Sequence, residues 1–471
     1  MPETWATSGL DLHLEVGGTR VRAGLEGALR DAVRTGRLAA GARLPSSRSL
    51  AADLGIARNT VADAYAQLVA EGWLVARRGS GTRVSERAPE LAADPTPTAE
   101  EAAGPRYSLR PGVPDLSGFP RSAWMTASRR AIRAAPFDSL GYGDPRGRPE
   151  LRRALAGYLA RARGVRTSPE RLVVCSGFTQ GLALLCEVLR ARGARELAVE
   201  AFGLPWHREL AERAGLELCP LPVDAEGART DELRDAGAVL LTPAHQFPRG
   251  MALAPERRVD AIEWATRSAG LLIEDDYDGE FRYDRQPVGA LQALAPEQVV
   301  YAGTASKTLA PGLRLGWLAL PAALVDEVAS AKARADSHSA TLDQLTLAEL
   351  LESGAYDRHV RRSRLAYRRR RDRLVEALHR QAPEVRVTGI AAGLHALVEL
   401  PAGQMEAQVV ARAEKRGLAL EGLGAYAFEG HEAEHAPSLV VGYGTPADHE
   451  FTAAVARLTA SIADGGRASL E

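Results

Sequence analysis

The stretch that decides the fold is VVYAGTASKTLAPGLRLGW, residues 299–317. Its apolar start predicts a buried strand, small and hydroxyl residues surround Lys307, and Arg314 follows seven places later. Only three lysines, Lys307, Lys332 and Lys415, occur among the 59 basic residues of the chain. Arginine stays protonated, whereas a desolvated lysine amine loses its proton and can attack an aldehyde. We therefore expect Lys307 to be present for its chemistry rather than for its charge.

The residues around Lys307 suit a phosphate group. Thr304 and Ser306 offer hydroxyl donors, and Arg314 offers a guanidinium that binds phosphate oxygens in pairs. A lysine that forms a Schiff base beside a phosphate site is typical of proteins that bind pyridoxal 5′-phosphate (PLP). The alternative for this stretch alone is a lysine whose stem lies along a buried strand while its amine reaches solvent.

Length and composition limit the class of protein. A chain of 471 residues exceeds one compact core and predicts two or three domains. The formal net charge is −1, but residues 20–88 contain twelve arginines against six acidic residues, which favours an anionic partner for this part. The three cysteines lack metal-ligand spacing, and no apolar run is long enough to span a membrane. We expect a soluble, cytoplasmic protein without a metal site.

The N-terminal residues predict a helix-turn-helix followed by a wing. The helix that would enter a major groove carries Arg58, Asn59 and Thr60 in its first turn. Ser46 is placed to cap the preceding helix, and Gly55 is placed to end it. Apolar periodicity predicts helices over 21–37, 46–54 and 57–71, then strands over 72–75 and 82–84 joined by a tight basic turn.

The sequence LPSSRSLAADLGIARNTVADAYAQLVAEGWLVARRGSGTRV, residues 44–84, resembles the winged helix-turn-helix of the GntR family of bacterial repressors. The resemblance covers most of residues 20–85 and implies double-stranded operator DNA as the partner. It implies DNA contacts from Arg48, Arg58, Asn59 and Thr60 in the helices and from Arg78 and Gly79 in the wing. Arginines supply phosphate and guanine contacts, and Asn and Thr can contact bases. The alternative is a helical protein-interaction module with a solvated arginine face.

Composition divides the chain into a DNA-binding domain over 1–85, a linker over 86–106 and a large domain over 107–471. The linker is rich in Ala, Pro, Glu and Thr and has almost nothing to bury. Strands in the large domain alternate with helical segments, which predicts an α/β fold with a mostly parallel sheet covered by helices. The predicted strands are 172–177, 196–200, 238–243, 270–276, 299–303 and 315–320.

Polar residues follow the predicted strands, where open α/β sheets bind ligands. Phe178 and Thr179 open a helix directly after a strand, so their backbone N–H groups can bind a phosphate. Asp275 ends another strand and can pair with the pyridine nitrogen of PLP, while Tyr277 can bond the ring oxygen. Glu274-Asp275-Asp276 alone fits a magnesium site equally well. Lys307 at the next strand end favours PLP.

From about Tyr107 onward, these motifs resemble the fold-type I PLP enzymes of the class I aminotransferase group. The resemblance implies that Lys307 forms the Schiff base, that Asp275 holds the pyridine nitrogen and that Tyr277 bonds the 3′ oxygen. The implied phosphate ligands are Phe178, Thr179, Thr304, Ser306 and Arg314. Tyr142, in YGDPRG, resembles the tyrosine that reaches a phosphate across the dimer interface. A homodimer, domain-swapped and head to tail, is implied.

Three positions depart from the aminotransferase pattern. Residues 242–250, TPAHQFPRG, stand in place of an Asn-Pro-Thr-Gly loop, so we expect His245 or Gln246 to replace the asparagine as a cofactor ligand. This version of the loop is typical of MocR-type regulators, which fuse a GntR reader to an aminotransferase-like domain. The other two departures concern the cofactor ring and the substrate.

The aromatic residue that packs on the PLP ring in the family falls near Leu204, where Phe202 or Trp206 could substitute. The arginine that clamps a substrate carboxylate falls at Val440, in LVVGY. Without that clamp an amino acid loses a major orienting contact.

The combined resemblance predicts a MocR-type transcriptional regulator that senses its effector through an aldimine at Lys307. The expected effector is vitamin B6 itself, as in the PdxR-like branch, or an amino acid such as γ-aminobutyrate or taurine. The competing hypotheses are an active aminotransferase with an appended DNA-binding domain and a PLP fold that serves only as a dimerisation scaffold.

The arginine-rich segment Arg358–Arg373 predicts a basic helix. We expect a solvated, ion-paired surface helix, with Leu365 and Leu374 marking a modest apolar face. An extension of the DNA footprint is the alternative.

Overall fold

The computed structural model describes residues 21–77, 81–86, 105–234, 236–283, 288–432 and 435–467, without the side chains of 465–467. The chain divides into two compact units, Met1–Ala102 and Ala103–Glu471. Each is considered separately below.

The first unit has the predicted helix-turn-helix. Ser46 accepts a hydrogen bond from the Ser49 N–H, and Gly55 ends the same helix with a left-handed φ of 65°. Its helices are α1 (Val21–Arg34), α2 (Ser47–Leu54) and α3 (Arg58–Ala70), followed by the antiparallel strands β1 (Leu74–Arg77) and β2 (Gly81–Val84). Leucines of the three helices form one apolar core, with Leu25, Leu50 and Leu68 at its centre. The predicted contacts at Arg78 and Gly79 lie outside the described residues.

The second unit alternates strands and helices, as predicted for the large domain. Its first half comprises β3 (Tyr107–Ser108), α4 (Arg121–Ala134), α5 (Pro149–Arg163), β4 (Leu172–Cys175), α6 (Phe178–Ala191), β5 (Glu196–Glu200), α7 (Pro205–Arg213), β6 (Glu217–Leu221), β7 (Val223–Asp224) and β8 (Gly227–Ala228). The second half comprises β9 (Ala238–Leu241), α8 (Pro255–Ser268), β10 (Leu271–Asp275), β11 (Val299–Thr304), β12 (Gly316–Ala319), α9 (Val325–Asp336), α10 (Thr341–Glu352), α11 (Ala355–Gln381), β13 (Arg386–Thr388), β14 (His395–Glu399), α12 (Glu406–Lys415), β15 (Leu418–Ala419), β16 (Ser438–Gly442) and α13 (Asp448–Arg467).

A seven-stranded sheet in the order β4-β12-β11-β10-β9-β5-β6 forms the centre of this unit. Every neighbouring pair is parallel except the two that involve β12, which runs antiparallel to β11 and β4. The prediction of a mostly parallel sheet and of six of its strands is confirmed; β6 was not predicted. Because the other six strands share a direction, their carboxyl ends meet at one edge of the sheet.

A smaller antiparallel sheet, β13-β14-β16, packs with α11, α12 and α13 around a second core. The arginine-rich segment lies in α11, but the apolar face predicted for it, marked by Leu365 and Leu374, is wrong. Leu365 is 57% exposed, whereas Tyr367 and Leu374 are buried and Arg370 is 4% exposed against Asp115. The buried face of α11 is therefore more extensive than the two leucines indicated.

Within the described residues, no helix combines the length and the apolar character needed to cross a membrane.

Candidate functional site

The carboxyl edge of the large sheet opens into a cavity of about 610 Å³. Its wall brings together nearly all the residues predicted for the cofactor, from segments that follow β4, β10 and β11. These are Phe178, Thr179, Asp275, Tyr277, Thr304, Ser306, Lys307 and Arg314. A cavity of this size suits a small-molecule ligand.

Lys307 lies at the wall of this cavity, three residues after β11 ends. Its Nζ donates a hydrogen bond to the backbone carbonyl of Gly112 at 2.6 Å. Burial lowers the pKa of the amine, and the carboxylates of Asp275 and Asp278 oppose that shift. A lowered pKa increases the fraction of neutral amine, which is the form that attacks a carbonyl carbon.

Asp275 is a buried carboxylate at the wall of the cavity. Burial raises its pKa well above the ordinary value, and Lys307 opposes that shift. Among the described residues, none donates a hydrogen bond to its side chain, which is unusual for a buried carboxylate. A ligand that presents a protonated nitrogen here would provide the missing donor.

The neighbouring carboxylates have other partners. Glu274 accepts the backbone N–H groups of Leu291 and Gln292, both at 2.9 Å. Asp276 forms a buried ion pair with Arg163. The three acids therefore do not converge on one point, and the magnesium alternative for this motif is wrong.

The phosphate residues form a cluster of donors at one end of the cavity. Phe178 and Thr179 are the first residues of α6, where backbone N–H groups have no helical partner. The Thr304 hydroxyl donates to the Ser306 hydroxyl at 2.8 Å. The guanidinium of Arg314 would lie 3.0 Å from a Cβ at Gly177, whose φ is 82°, so only glycine admits this close approach. Helix N-terminus, hydroxyls and guanidinium together fit a phosphate.

His245 and Gln246, predicted to replace the family's asparagine, are both outside the cavity wall as the described residues form it. Gln246 donates to Glu200 and to the carbonyls of Phe202 and Phe247. His245 reaches the cavity wall through Tyr277, whose hydroxyl oxygen lies 3.1 Å from its Nδ1, and through His395, whose ring centroid lies 5.0 Å away. The loop residues that do line the cavity are Thr242 and Phe247.

The segment 202–207 contributes several cavity residues. Leu204, Phe202 and Trp206, the residues predicted at or near the ring-packing position, all line the wall. His207 also lines it and was missed; its ring centroid lies 4.9 Å from that of Phe178. Burial, with a smaller effect from Lys307, lowers the pKa of His207 to about 3. A neutral imidazole therefore faces the cavity.

Val440 is buried in β16 opposite Leu397 and does not line the cavity. The wall instead includes Arg110 and Glu421, which form an ion pair at 3.4 Å and were not predicted. Arg110 was missed because it lies more than 300 residues before Val440, so no local pattern connects them.

Tyr142 does not line the cavity and is 95% exposed. In the first unit, Arg48, Arg58 and Asn59 are exposed and Thr60 is half-buried. Arg58, Asn59 and Thr60 begin α3, the helix that the motif places in a major groove.

Comparisons with known proteins match both units. Residues 112–438 match the aminotransferase class I and II family, and residues 22–84 match the gntR family of bacterial regulatory proteins. The chain is 33% identical to the Corynebacterium glutamicum pyridoxine biosynthesis transcriptional regulator PdxR, over 93% of this chain and 95% of that protein. It is 34% identical to the probable rhizopine catabolism regulatory protein MocR of Rhizobium meliloti, over 73% and 74%.

Among solved structures, an archaeal alanine:glyoxylate aminotransferase matches with a TM-score of 0.68 and 26% identity. The match covers 76% of this chain and 91% of the aminotransferase. The cavity residues and this fold together identify the cofactor as PLP.

Proposed function

The chain belongs to the MocR-type regulators, transcriptional regulators of the GntR family with an aminotransferase-like, PLP-dependent domain, and on this premise we propose that PLP bound at Lys307 controls operator binding. The observation that carries the proposal is the pairing of Lys307 with Asp275 across one cavity. A lysine amine of lowered pKa and a buried carboxylate that accepts no hydrogen bond from the described residues line the same cavity.

When bound, PLP supplies an aldehyde that reacts with amines and a pyridine ring that withdraws electrons. In this chain Lys307 would provide the amine, and Asp275 would keep a proton on the pyridine nitrogen. The phosphate would be bound by the helix N-terminus at Phe178 and Thr179 and by Thr304, Ser306 and Arg314. Tyr277 would donate a hydrogen bond to the ring oxygen. His245 would contact the hydroxyl oxygen of that tyrosine.

The proposed effector is vitamin B6 itself. Val440 provides no cation for the carboxylate of an amino acid, and Arg110 is already paired with Glu421. The name of the Corynebacterium relative, a regulator of pyridoxine biosynthesis, agrees with this choice. An amino-acid effector would gain a charged contact by displacing Glu421 from Arg110, or by drawing Arg208, also at the wall, from the backbone carbonyls of Gly203 and Ala427.

A route from the cavity toward the linker supports the control of DNA binding. Gly112, whose carbonyl accepts from Lys307, follows β3, the first strand after the predicted linker. This segment passes over Gly442, where a Cβ would lie 2.4 Å from the Arg110 carbonyl oxygen. A ligand that engages the lysine amine competes with Gly112 for it, so two arrangements of the segment would differ in ligand affinity.

A homodimer is part of the proposal. Tyr142 is too exposed to serve its own cavity, and Phe137 beside it is 96% exposed. Apolar side chains exposed to this degree favour a protein interface. In a domain-swapped, head-to-tail dimer, Tyr142 would reach the phosphate of the second copy. The two readers would then face two operator half-sites in the cytoplasm.

The reader would contact DNA through Arg48, Arg58, Asn59 and Thr60, and Arg78 and Gly79 would add further contacts. Arginine contacts to phosphate predict affinity that falls steeply with salt.

The test is binding of the full-length protein to its own upstream DNA, with and without PLP, at one fixed salt concentration. We expect a PLP-dependent change in affinity or footprint that disappears in Lys307→Ala. DNA binding with the same affinity and footprint in the presence and absence of PLP would refute control by PLP and indicate a second ligand. Sustained conversion of amino donors to keto acids, without specific DNA binding, would support the alternative of an aminotransferase.

A further inference from the structure

Two buried polar side chains behind the cavity wall, His245 and Asp278, meet the half-buried Tyr277. His245 Nδ1 lies 2.8 Å from Asp278 Oδ2 and 3.1 Å from the Tyr277 hydroxyl oxygen. The side chains of His245 and Asp278 are each 2% exposed, so water does not compete for these contacts. Tyr277 alone of the three lines the cavity. It therefore connects the buried pair to any ligand.

The hydrogen-bond partners of His245 and Tyr277 determine where their protons lie. A carboxylate only accepts hydrogen bonds, so the ring nitrogen of His245 that contacts Asp278 carries a proton. That same N–H faces the Tyr277 oxygen, which must accept there. The hydroxyl proton of Tyr277 then has two acceptors available, the Asp278 carboxylate and an oxygen anion bound in the cavity.

From this geometry we propose that Asp278 and His245 form a relay that makes Tyr277 a hydrogen-bond donor to an aromatic oxyanion in the cavity. Asp278 fixes the protonated nitrogen of His245, and His245 occupies the acceptor side of the Tyr277 oxygen. The tyrosine then donates its own proton to the ligand in place of the Asp278 carboxylate. Asp278 and His245 are positioning residues, because neither lines the cavity.

A metal ion is the competing explanation for this cluster, since ligand atoms of His245, Asp278 and His395 lie within 4.8 Å of one another. The distances favour the relay. Two ligands in a tetrahedral zinc shell are roughly 3.4 Å apart, whereas Nδ1 and Oδ2 are at hydrogen-bond distance, 2.8 Å. An ion between them would require both side chains to move.

The relay predicts a measurable change in bound PLP. Donors to an oxyanion stabilise the anionic form, so losing the donor raises the pKa of the group conjugated with that oxygen. The readout is the pH midpoint of the absorption band of PLP bound to the full-length protein. Other charged or titratable groups around Tyr277 and His245 are Asp275, Glu200, His395 and Lys307; these stay unchanged in all variants.

We expect Tyr277→Phe and His245→Gln each to raise this midpoint, by about half a unit or more, since one unit corresponds to about 1.4 kcal/mol of lost interaction. In His245→Gln/Tyr277→Phe the midpoint should equal that of Tyr277→Phe, because the histidine acts only through the tyrosine. The matched control is Tyr301→Phe, another buried tyrosine bonded to a carboxylate but outside the cavity wall; its midpoint should not change.

Additive shifts in the double variant would overturn the relay, as would a midpoint that moves when wild-type protein is treated with EDTA. The relay rests on PLP binding at Lys307, and the outcomes separate the two proposals. Wild-type protein without a PLP band would refute the proposed function. A normal wild-type band with unshifted variants would refute only the relay. If the variants do not fold, ¹⁵N NMR of wild-type imidazoles decides; a His245 Nδ1 without a proton would overturn the relay.

Discussion

Replacing Arg163 with methionine should destabilise the large unit, because it leaves the Asp276 carboxylate buried without its ion-pair partner. Arg163 Nε lies 2.6 Å from one carboxylate oxygen, and Nη2 lies 3.2 Å from the other. The two side chains are 3% and 1% exposed. After the substitution the Tyr301 hydroxyl, at 2.8 Å, is the remaining side-chain donor to Asp276 among the described residues.

The size of the effect follows from burial. Removing one partner of a buried pair costs about 3–5 kcal/mol, because the other charge stays desolvated. Methionine fills much of the volume of the arginine stem, so lost packing adds little. Asp276→Asn should cost a similar amount, since the guanidinium then faces a neutral amide. The double variant Arg163→Met/Asp276→Asn removes both charges and should cost less than the sum of the singles by about 2 kcal/mol.

Urea unfolding near neutral pH, followed by circular dichroism, measures these differences. The matched control is Arg161→Met on the same helix, whose exposed pair with Asp357 (61% and 31% exposed) should cost less than about 1 kcal/mol. The reasoning is refuted if Arg163→Met costs no more than Arg161→Met, or if the single costs add fully in the double variant.

Three further predictions concern the cavity and its supports. Gly442→Ala places a Cβ 2.4 Å from the Arg110 carbonyl oxygen and should lower the free energy of unfolding by about 1–3 kcal/mol. Gly118→Ala, where a Cβ has open space, should stay near wild type in the same urea experiment. Arg314→Gln should weaken PLP binding by about 10- to 100-fold, because a charge-assisted contact contributes about 1.5–3 kcal/mol. Affinity for pyridoxal, which lacks the phosphate, should not change in that variant, as a fluorescence titration would show. Burial raises the pKa of Glu280 from 4.5 to about 7. The folded state thus binds its proton more tightly, so urea unfolding of PLP-free protein should show stability falling as pH rises from 4.5 to 7. In Glu280→Gln that fall should be smaller; an unchanged slope would contradict the assignment.

The parts that sequence predicted well depend on local pattern. Ser46 and Gly55 mark the ends of α2 because a cap needs only residues within one turn. The strands were found because apolar runs bounded by polar residues identify a buried sheet. Lys307, Asp275 and Tyr277 were placed together because carboxyl ends of parallel strands share an edge.

The parts that sequence missed depend on contacts between distant segments. Gly112 reaches Lys307 from 195 positions away. His245 meets Asp278 across 33 residues. The pattern of each segment gives no distance between them, since that distance is set by strand order and loop path. His207 differs, because it directly follows Trp206, which the sequence already indicated as a candidate to pack on the cofactor ring.

The apolar face of α11, however, could have been predicted correctly from periodicity alone. On α11, Leu365 and Leu374 are nine residues apart, which at 3.6 residues per turn places them about 180° apart on the helix. Two residues on opposite faces cannot mark one apolar face. Tyr367 and Leu374, seven apart, lie on the same side, and both are buried.

Periodicity is equally informative for the three acids at the end of β10, Glu274, Asp275 and Asp276. Successive side chains of a strand point to opposite faces, so Glu274 and Asp276 share one face and Asp275 takes the other. A magnesium ion bound by all three would require them to converge, which the predicted strand already opposed. In the structure Asp275 faces the cavity, while Glu274 binds the backbone at Leu291 and Asp276 binds Arg163. Because its neighbours are neutralised on the opposite face, Asp275 is the carboxylate left to pair with a cation in the cavity.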